Sequence, residues 1–195
     1  MFPLVYLVRH GQTAWNVEGR LQGQAENDIN ETGRRQADRN GARLRELIGD
    51  PAAFDFVASP MRRTRETMER VRRAMGLAAD GYRTDERLVE VHFGDWQGYT
   101  FAELDTMEHG CTKARSRDKW NFVPPGEGAE SYQMLLERVR PWFTALDRPT
   151  VCVTHGGVIR TVFRMLEETP HRQAARLEIH QDRVLRLEDG RLAWL

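Results

Sequence analysis

Three short apolar runs interrupt an otherwise polar chain: 3-PLVYLV-8, 54-FDFVA-58 and 150-TVCVT-154. Each is followed by a segment with helical spacing, the pattern of parallel strands covered on both faces. After the first run, Asn30 stands where a helix cap belongs. From there Ala37, Leu44, Leu47 and Ile48 fall on one stripe, and Gly49-Asp50-Pro51 stops the helix at about Ile48. After the second, 60-PMRRTRETMERVRRAMG-76 opens with proline and closes with glycine, as a helix should. After the third, Gly156-Gly157 leads into a helix over 158-VIRTVFRMLEE-168. A fourth helix is predicted from about Ala129 to Leu146, and Pro141 inside it implies a kink or a break.

Near the end the period changes. Residues 176–180 and 183–195 alternate apolar with polar around Asp189-Gly190, a strong hairpin dipeptide, so antiparallel strands are expected there. Residues about 81–128 hold few clear elements and read as an excursion over the sheet, a length of loop that is usually functional. The expected fold is α/β: a three-layer α/β/α sandwich with a mostly parallel central sheet, an antiparallel C-terminal edge and the excursion over the active site. All of it is expected in a single domain over 1–195.

Composition narrows the function classes. At 40% hydrophobic and 30% charged residues, the 195-residue chain has ordinary proportions for a globular protein. Its formal net charge is zero, so no global field recruits nucleic acid or an anionic membrane, and neither is expected as a partner. The arginine-rich run 62-RRTRETMERVRR-73 reads as a solvated helix face, because Glu66–Arg70 and Glu69–Arg73 are i,i+4 pairs. The two cysteines, Cys111 and Cys152, lie far apart without metal-like spacing and fit a reducing cytoplasm. The first apolar stretch is too short, and too poor in preceding basic residues, for a signal peptide. No window approaches the roughly 20 apolar residues of a membrane span. A cytoplasmic protein is expected. His92, His109, His171 and His180 show no metal-ligand spacing, and no metal or cofactor is expected.

In an open parallel sheet, ligands bind outside the carboxyl ends of the strands. Arg9-His10-Gly11 follows the first strand, Ser59 to Arg63 the second, and His155-Gly156-Gly157 the third. Two imidazoles and several arginines therefore gather at one sheet edge. Arginine forks match phosphate oxygens, and glycines at a helix start let backbone amides approach an anion. The edge reads as a phosphoryl pocket in which a histidine is a competent nucleophile.

The strings 7-LVRHGQTAWN-16, 59-SPMRRTRET-67, 88-LVEVHFGDWQG-98 and 153-VTHGGVIR-160 resemble the histidine phosphatase superfamily, in its phosphoglycerate-mutase-like branch. The resemblance implies that His10 becomes a phosphohistidine. Arg9, Arg63 and a protonated His155 would hold the phosphoryl oxygens, with Asn16 as a further donor. Arg63 is preferred to Arg62 because the family's arginine stands four residues after the serine, here Ser59. Glu90 would protonate the leaving alkoxide and then activate water. Gln22, Gly23 and Gly156 would support the bound substrate, and Gly11 would let backbone pass close to the pocket.

Phosphatase is favoured over mutase. Where mutases of the family carry an arginine, a tyrosine and a lysine for the glycerate carboxylate, this chain has Val91, Phe93 and Phe101. The block 92-HFGDWQG-98 is closer to that of the α-ribazole-phosphate and broad-specificity phosphatases, with Gln97 in place of a glutamate. The reading is a metal-independent phosphomonoesterase acting on a small phosphorylated metabolite. Its alternatives are a cofactor-dependent phosphoglycerate mutase and a catalytically idle phosphate-ligand binding protein. Trp15, Trp96 and Trp120 are candidates for either pocket or core. Lys113, Arg115, Arg117 and Lys119 are candidates for either pocket or surface. The C-terminal hairpin offers an edge for a homodimer.

Overall fold

A computed structural model of the chain describes residues 2–166 and 169–195. The elements run β1 (Val5–Arg9), α1 (Ala14–Glu18), α2 (Glu31–Leu47), β2 (Asp55–Ala58), α3 (Arg62–Ala74) and β3 (Arg83–Thr84). They continue as α4 (Phe101–Met107), α5 (Cys111–Arg117), α6 (Tyr132–Thr144), β4 (Thr150–Thr154), α7 (Gly156–Leu166), α8 (His171–Ala174), β5 (Val184–Glu188) and β6 (Arg191–Trp194). The six strands form one sheet in the order β3-β2-β4-β1-β5-β6. β3, β2, β4 and β1 are parallel to one another, while β5 and β6 add an antiparallel edge. The α/β sandwich with a mostly parallel sheet is the fold expected from the sequence.

Strand alternation explains the three layers. In β1, Val5 and Leu7 join a core with Leu135, Val139 and Phe143 of α6 and Ile159 of α7. Tyr6 and Val8, pointing the other way, pack with Leu44 of α2 and Met68 and Val71 of α3. Because every side chain from Val5 to Val8 is buried, the strand reads as a continuous apolar run and not an alternating one. α2 is capped by Asn30, whose side chain accepts from the Gly33 amide at 2.9 Å. Asp189 and Gly190 turn β5 into β6 with positive φ values of 50° and 75°, as a two-residue hairpin loop requires.

Several expectations are corrected. Residues 176–180 form no strand; they follow α8 as a turn and loop. Their backbone acceptors are taken by arginines, since Arg160 Nε donates to the Leu177 carbonyl and Arg9 Nη1 to that of Ile179. Pro141 does not break α6, which continues to Thr144. The proline sits in the last turns, where burial of Trp142 and Phe143 holds the helix end in place. α7 begins at Gly156, two residues before the expected start, and the expected end at 167–168 lies outside the described residues.

The excursion is more ordered than expected. Thr100 and Glu103 form a capping box that starts α4, and Asp105 accepts from the Thr112 hydroxyl at 2.8 Å, tying α5 to α4. The Glu66–Arg70 pair does not form within α3. Both residues instead reach α2, with Arg34–Glu66 at 2.8 Å and Arg70–Asp38 at 2.9 Å. Glu69–Arg73 does form, at 3.9 Å. Among the described residues no helix is long and apolar enough to cross a membrane.

Candidate active site

The chain leaves β1 through Arg9 and His10, and His10 is 2% exposed. Its Nδ1 lies 2.8 Å from the Gly11 carbonyl. A carbonyl only accepts, so Nδ1 carries the hydrogen and Nε2 keeps its lone pair. The Gly11 amide donates to Thr67 Oγ1 at 3.0 Å, and that hydroxyl donates to the Arg63 carbonyl at 2.6 Å. The exits of β1 and β2 are thus pinned together. Gly11 does not serve the pocket as expected. A Cβ there would stand 2.4 Å from the Gly33 carbonyl oxygen, so glycine is needed for close packing against the start of α2.

Arg63 is fully buried and fixed by two carbonyls, donating through Nη1 to Ala25 at 2.9 Å and through Nη2 to Gly23 at 2.6 Å. Arg62 turns to the surface and pairs with Asp28. His155, beyond β4, is also fully buried, with Nε2 2.8 Å from Ser59 Oγ and its ring centroid 5.3 Å from that of His10. Four buried side-chain N or O atoms among the described residues have no hydrogen-bond partner. Three of them are Arg9 Nε, Arg63 Nε and His155 Nδ1. Leaving a buried donor unpaired costs about 1–3 kcal/mol, more when it is charged. Concentrating three such donors around one imidazole marks a site built for an acceptor-rich anion.

Electrostatics agree with the geometry. Burial, followed by the charges of Arg63 and Arg9, holds the His10 imidazole well below its usual pKa, so it is neutral. Burial pushes Arg9 and Arg63 down to about 10, which leaves both charged at neutral pH. The expectation of a protonated His155 is corrected: burial and the neighbouring Arg63, His10 and Arg9 push it well below the usual range. His155 Nε2 meets the Ser59 hydroxyl and its Nδ1 has no partner, while the ring packs beside His10 and does not itself line the cavity.

Glu90 lies in the excursion. One carboxylate oxygen accepts from its own neighbour, the Val91 amide, at 2.9 Å, and the other from the Gly157 amide at 3.1 Å. The start of α7 thus positions a carboxylate, where the sequence suggested backbone donors for phosphate. A Cβ on Gly156 would lie 3.4 Å from Arg9 Nε, so this glycine packs behind the arginine and does not line the cavity. Asn16, Gln22 and Gly23 do line it. Asn16 Oδ1 accepts from the Thr13 amide and from Gln181 Nε2, leaving its own NH₂ as the donor end. Gln97, where the family motif has glutamate, accepts from the Gln24 amide at 2.7 Å and steadies that loop.

The cavity, about 200 Å³, is also lined by Arg20, Leu21, Phe93, Phe101, Arg115, Lys119, Tyr132 and Arg160. Tyr132 and Arg160 escaped the sequence reading. Arg160 had a legible signal, being one helical turn beyond Gly156 and so on the same face of α7. Of the four basic candidates in the excursion, Arg115 and Lys119 line the cavity, whereas Lys113 and Arg117 are exposed. None of Trp15, Trp96 and Trp120 lines it; Trp96 and Trp120 are buried in the cores.

Comparison with known proteins follows the same lines. The chain is 34% identical over 177 residues to glucosyl-3-phosphoglycerate phosphatase of Mycobacterium tuberculosis, covering 84% of this chain and 75% of that protein. It is 32% identical over 194 residues to phosphoglycerate mutase-like protein 4 of Arabidopsis thaliana, covering 95% and 80% of the two chains. A solved structure of mycobacterial glucosyl-3-phosphoglycerate phosphatase with VO3 superposes with a TM-score of 0.79 at 31% identity, over 99% of this chain and 96% of that one. The family model of the histidine phosphatase superfamily (branch 1) matches residues 5–194. On its sequence, its fold and the histidine at the end of β1, the chain belongs to the histidine phosphatase superfamily, branch 1.

Proposed function

We propose that this chain, a phosphatase of the histidine phosphatase type, hydrolyses a small phosphomonoester through a phosphohistidine on His10. The observation that carries the reading is the set of unpaired buried donors on Arg9, Arg63 and His155 around an imidazole with an available Nε2. In the first step the Nε2 lone pair attacks phosphorus and the P–O bond to the leaving group breaks. Glu90 acts as the general acid and gives a proton to the departing oxygen. Arg9, Arg63 and the Nδ1–H of His155 donate to the equatorial oxygens, with Asn16 as a further donor. In the second step water attacks the phosphohistidine and passes a proton to the Glu90 carboxylate. The P–N bond breaks, His10 recovers its lone pair and phosphate leaves.

The positive charge that stabilises this transition state comes from the arginines. Among the described residues no group of three His, Cys, Asp or Glu side chains gathers that could hold a metal ion. Gln22 and Gly23 act indirectly, because the Gly23 carbonyl fixes the Arg63 fork and Gln22 accepts from the Thr13 hydroxyl at 2.9 Å. Val91 is buried, and Phe93 and Phe101 lie under Arg115, so the mutase arrangement at these positions is replaced by apolar surface. The test is phosphate release from p-nitrophenyl phosphate. His10→Ala should remove nearly all turnover, and a normal rate in that variant overturns the mechanism.

A further inference from the structure

Residues 89–93 form neither helix nor strand, so the backbone on either side of Glu90 has no sheet ladder or helix to hold it. Side chains take its carbonyls instead. Thr154 Oγ1 donates to the Leu88 carbonyl at 3.0 Å, and Gln24 Nε2 donates to that of Glu90 at 3.0 Å. The other contacts fall to one arginine of α6. Arg138 Nη1 donates to the carbonyls of Arg87 at 2.9 Å and Val89 at 3.1 Å, and its Nη2 lies 3.4 Å from the Glu90 carbonyl.

The remaining donors of this guanidinium meet Glu130. Nε donates to Oε1 at 2.9 Å and Nη2 to Oε2 at 2.8 Å, the two-point fork that arginine makes with a carboxylate. Every N–H of the arginine therefore faces an acceptor. Glu130 in turn grips the chain beyond Glu90. Its Oε2 accepts from the His92 amide at 3.1 Å, and its own amide donates to the His92 carbonyl at 2.9 Å. The pair has a rigid base, because Leu135 and Val139, on the same helix as Arg138, are fully buried. Neither Arg138 nor Glu130 lines the cavity. An ion pair that only stabilised the surface would not need to divide its bonds between the two sides of one cavity-lining carboxylate.

We propose that Arg138 and Glu130 are positioning residues, a clamp on the backbone before and after Glu90 that holds its carboxylate at the start of α7. The clamp touches no substrate and acts through Glu90. Its effect on turnover rests on Glu90 being the proton donor of the proposed reaction. Lysine at position 138 would keep the charge, but its three donors cannot span both the carboxylate and the carbonyls.

Kinetics in two backgrounds test this. Arg138→Met should lower kcat/KM for glycerol 3-phosphate, whose alkoxide needs a proton, by about 10-fold or more, while p-nitrophenyl phosphate changes less than about threefold. Added to Glu90→Gln, the same substitution should cost less than about twofold more, because residues that act as one unit are not additive. Arg138→Lys should recover only part of the loss. Glu130→Gln, which keeps the arginine and the side-chain volume, should show the same selective loss and serves if Arg138→Met does not fold. Equal losses on both substrates, or a full further loss in the Glu90→Gln background, overturn the clamp. Hydrogen exchange at the Gly157 amide separates the clamp from the hydrolysis reading. This amide is the second of α7, where no helix carbonyl reaches it, and its partner is Glu90 Oε2. Measured by NMR, its exchange should quicken about fivefold or more in Arg138→Met or Glu130→Gln. Faster exchange supports the clamp even if Glu90→Gln retains full activity on glycerol 3-phosphate, a result that would remove only the acid role. Unchanged exchange overturns the clamp even if hydrolysis proceeds.

Discussion

Gly157→Ala puts the placement of Glu90 under direct test. Gly157 is helical, the second residue of α7, and alanine is favoured there over glycine by roughly 1 kcal/mol in helix propensity. A Cβ at this position would stand 2.1 Å from Glu90 Oε1 and 3.2 Å from Leu135 Cδ2. The first distance is more than about 1 Å short of ordinary contact, so the carboxylate must swing away. A carboxylate at the end of a side chain can do so without unfolding the protein, whereas the helix backbone cannot retreat. The fold should therefore survive, with Tm within a few degrees of wild type. The proton donor is nonetheless misplaced, and a displacement of about 1 Å in a reacting group costs on the order of 10²-fold in rate.

The assay compares leaving groups. For an alkyl phosphate, whose alkoxide needs a proton as it departs, kcat/KM should fall about 10²-fold or more. For p-nitrophenyl phosphate, whose leaving group departs as a stable phenolate, kcat/KM should fall far less, because that parameter reports only the phosphorylation step. Equal losses with both substrates would mean that the alanine disturbs phosphate binding and not the acid. Full activity on the alkyl ester would refute the role of Glu90.

Two further outcomes follow from the buried groups. Arg63→Lys keeps a charge but cannot reproduce the fork held by the Gly23 and Ala25 carbonyls, so phosphatase kcat/KM should fall by about 10-fold or more, with phosphate inhibition weakened in parallel. Stability should fall on the acid side: the folded pKa values of His10 and His155 are depressed, so below about pH 6.5 the unfolded chain takes up protons that the folded chain refuses. The stability is fully present above that pH and declines by up to about 1.4 kcal/mol per pH unit for each histidine as pH drops further. Denaturant midpoints between pH 7.5 and 5 measure it. An unchanged slope in His10→Asn and His155→Asn would show that these histidines are not the cause.

Much of the molecule was legible locally, and particular residues show why. Asn30 capping α2 and Asp189-Gly190 turning the hairpin are encoded within a few neighbours, and the sequence pattern reads them correctly. Thr100 and Glu103 carry the same kind of signal, a capping box that marks the start of α4. Glu66 and Arg70 have the spacing of an intrahelical pair, yet each finds its partner on α2, a choice made only when the two helices pack. Residues 176–180 have a strand's alternation, but the carbonyls of Leu177 and Ile179 end up on arginines more than fifteen residues away.

By itself the sequence determined three of the four parallel strands, the long helices that follow them, and the clustering of Arg9, His10, Arg63 and His155 at one edge. These follow from periodicity and from the rule that strand ends converge. Tertiary structure alone decided what each group is prepared to do. It set the His10 tautomer through one backbone carbonyl, gave the Gly157 amide to Glu90, and brought Arg115, Lys119 and Arg160 to the lining of the same cavity. The physical reason is range. Caps, turns and amphipathic stripes act over a few residues, whereas burial, charge repulsion and unpaired donors are properties of neighbours that the chain brings together only when it folds.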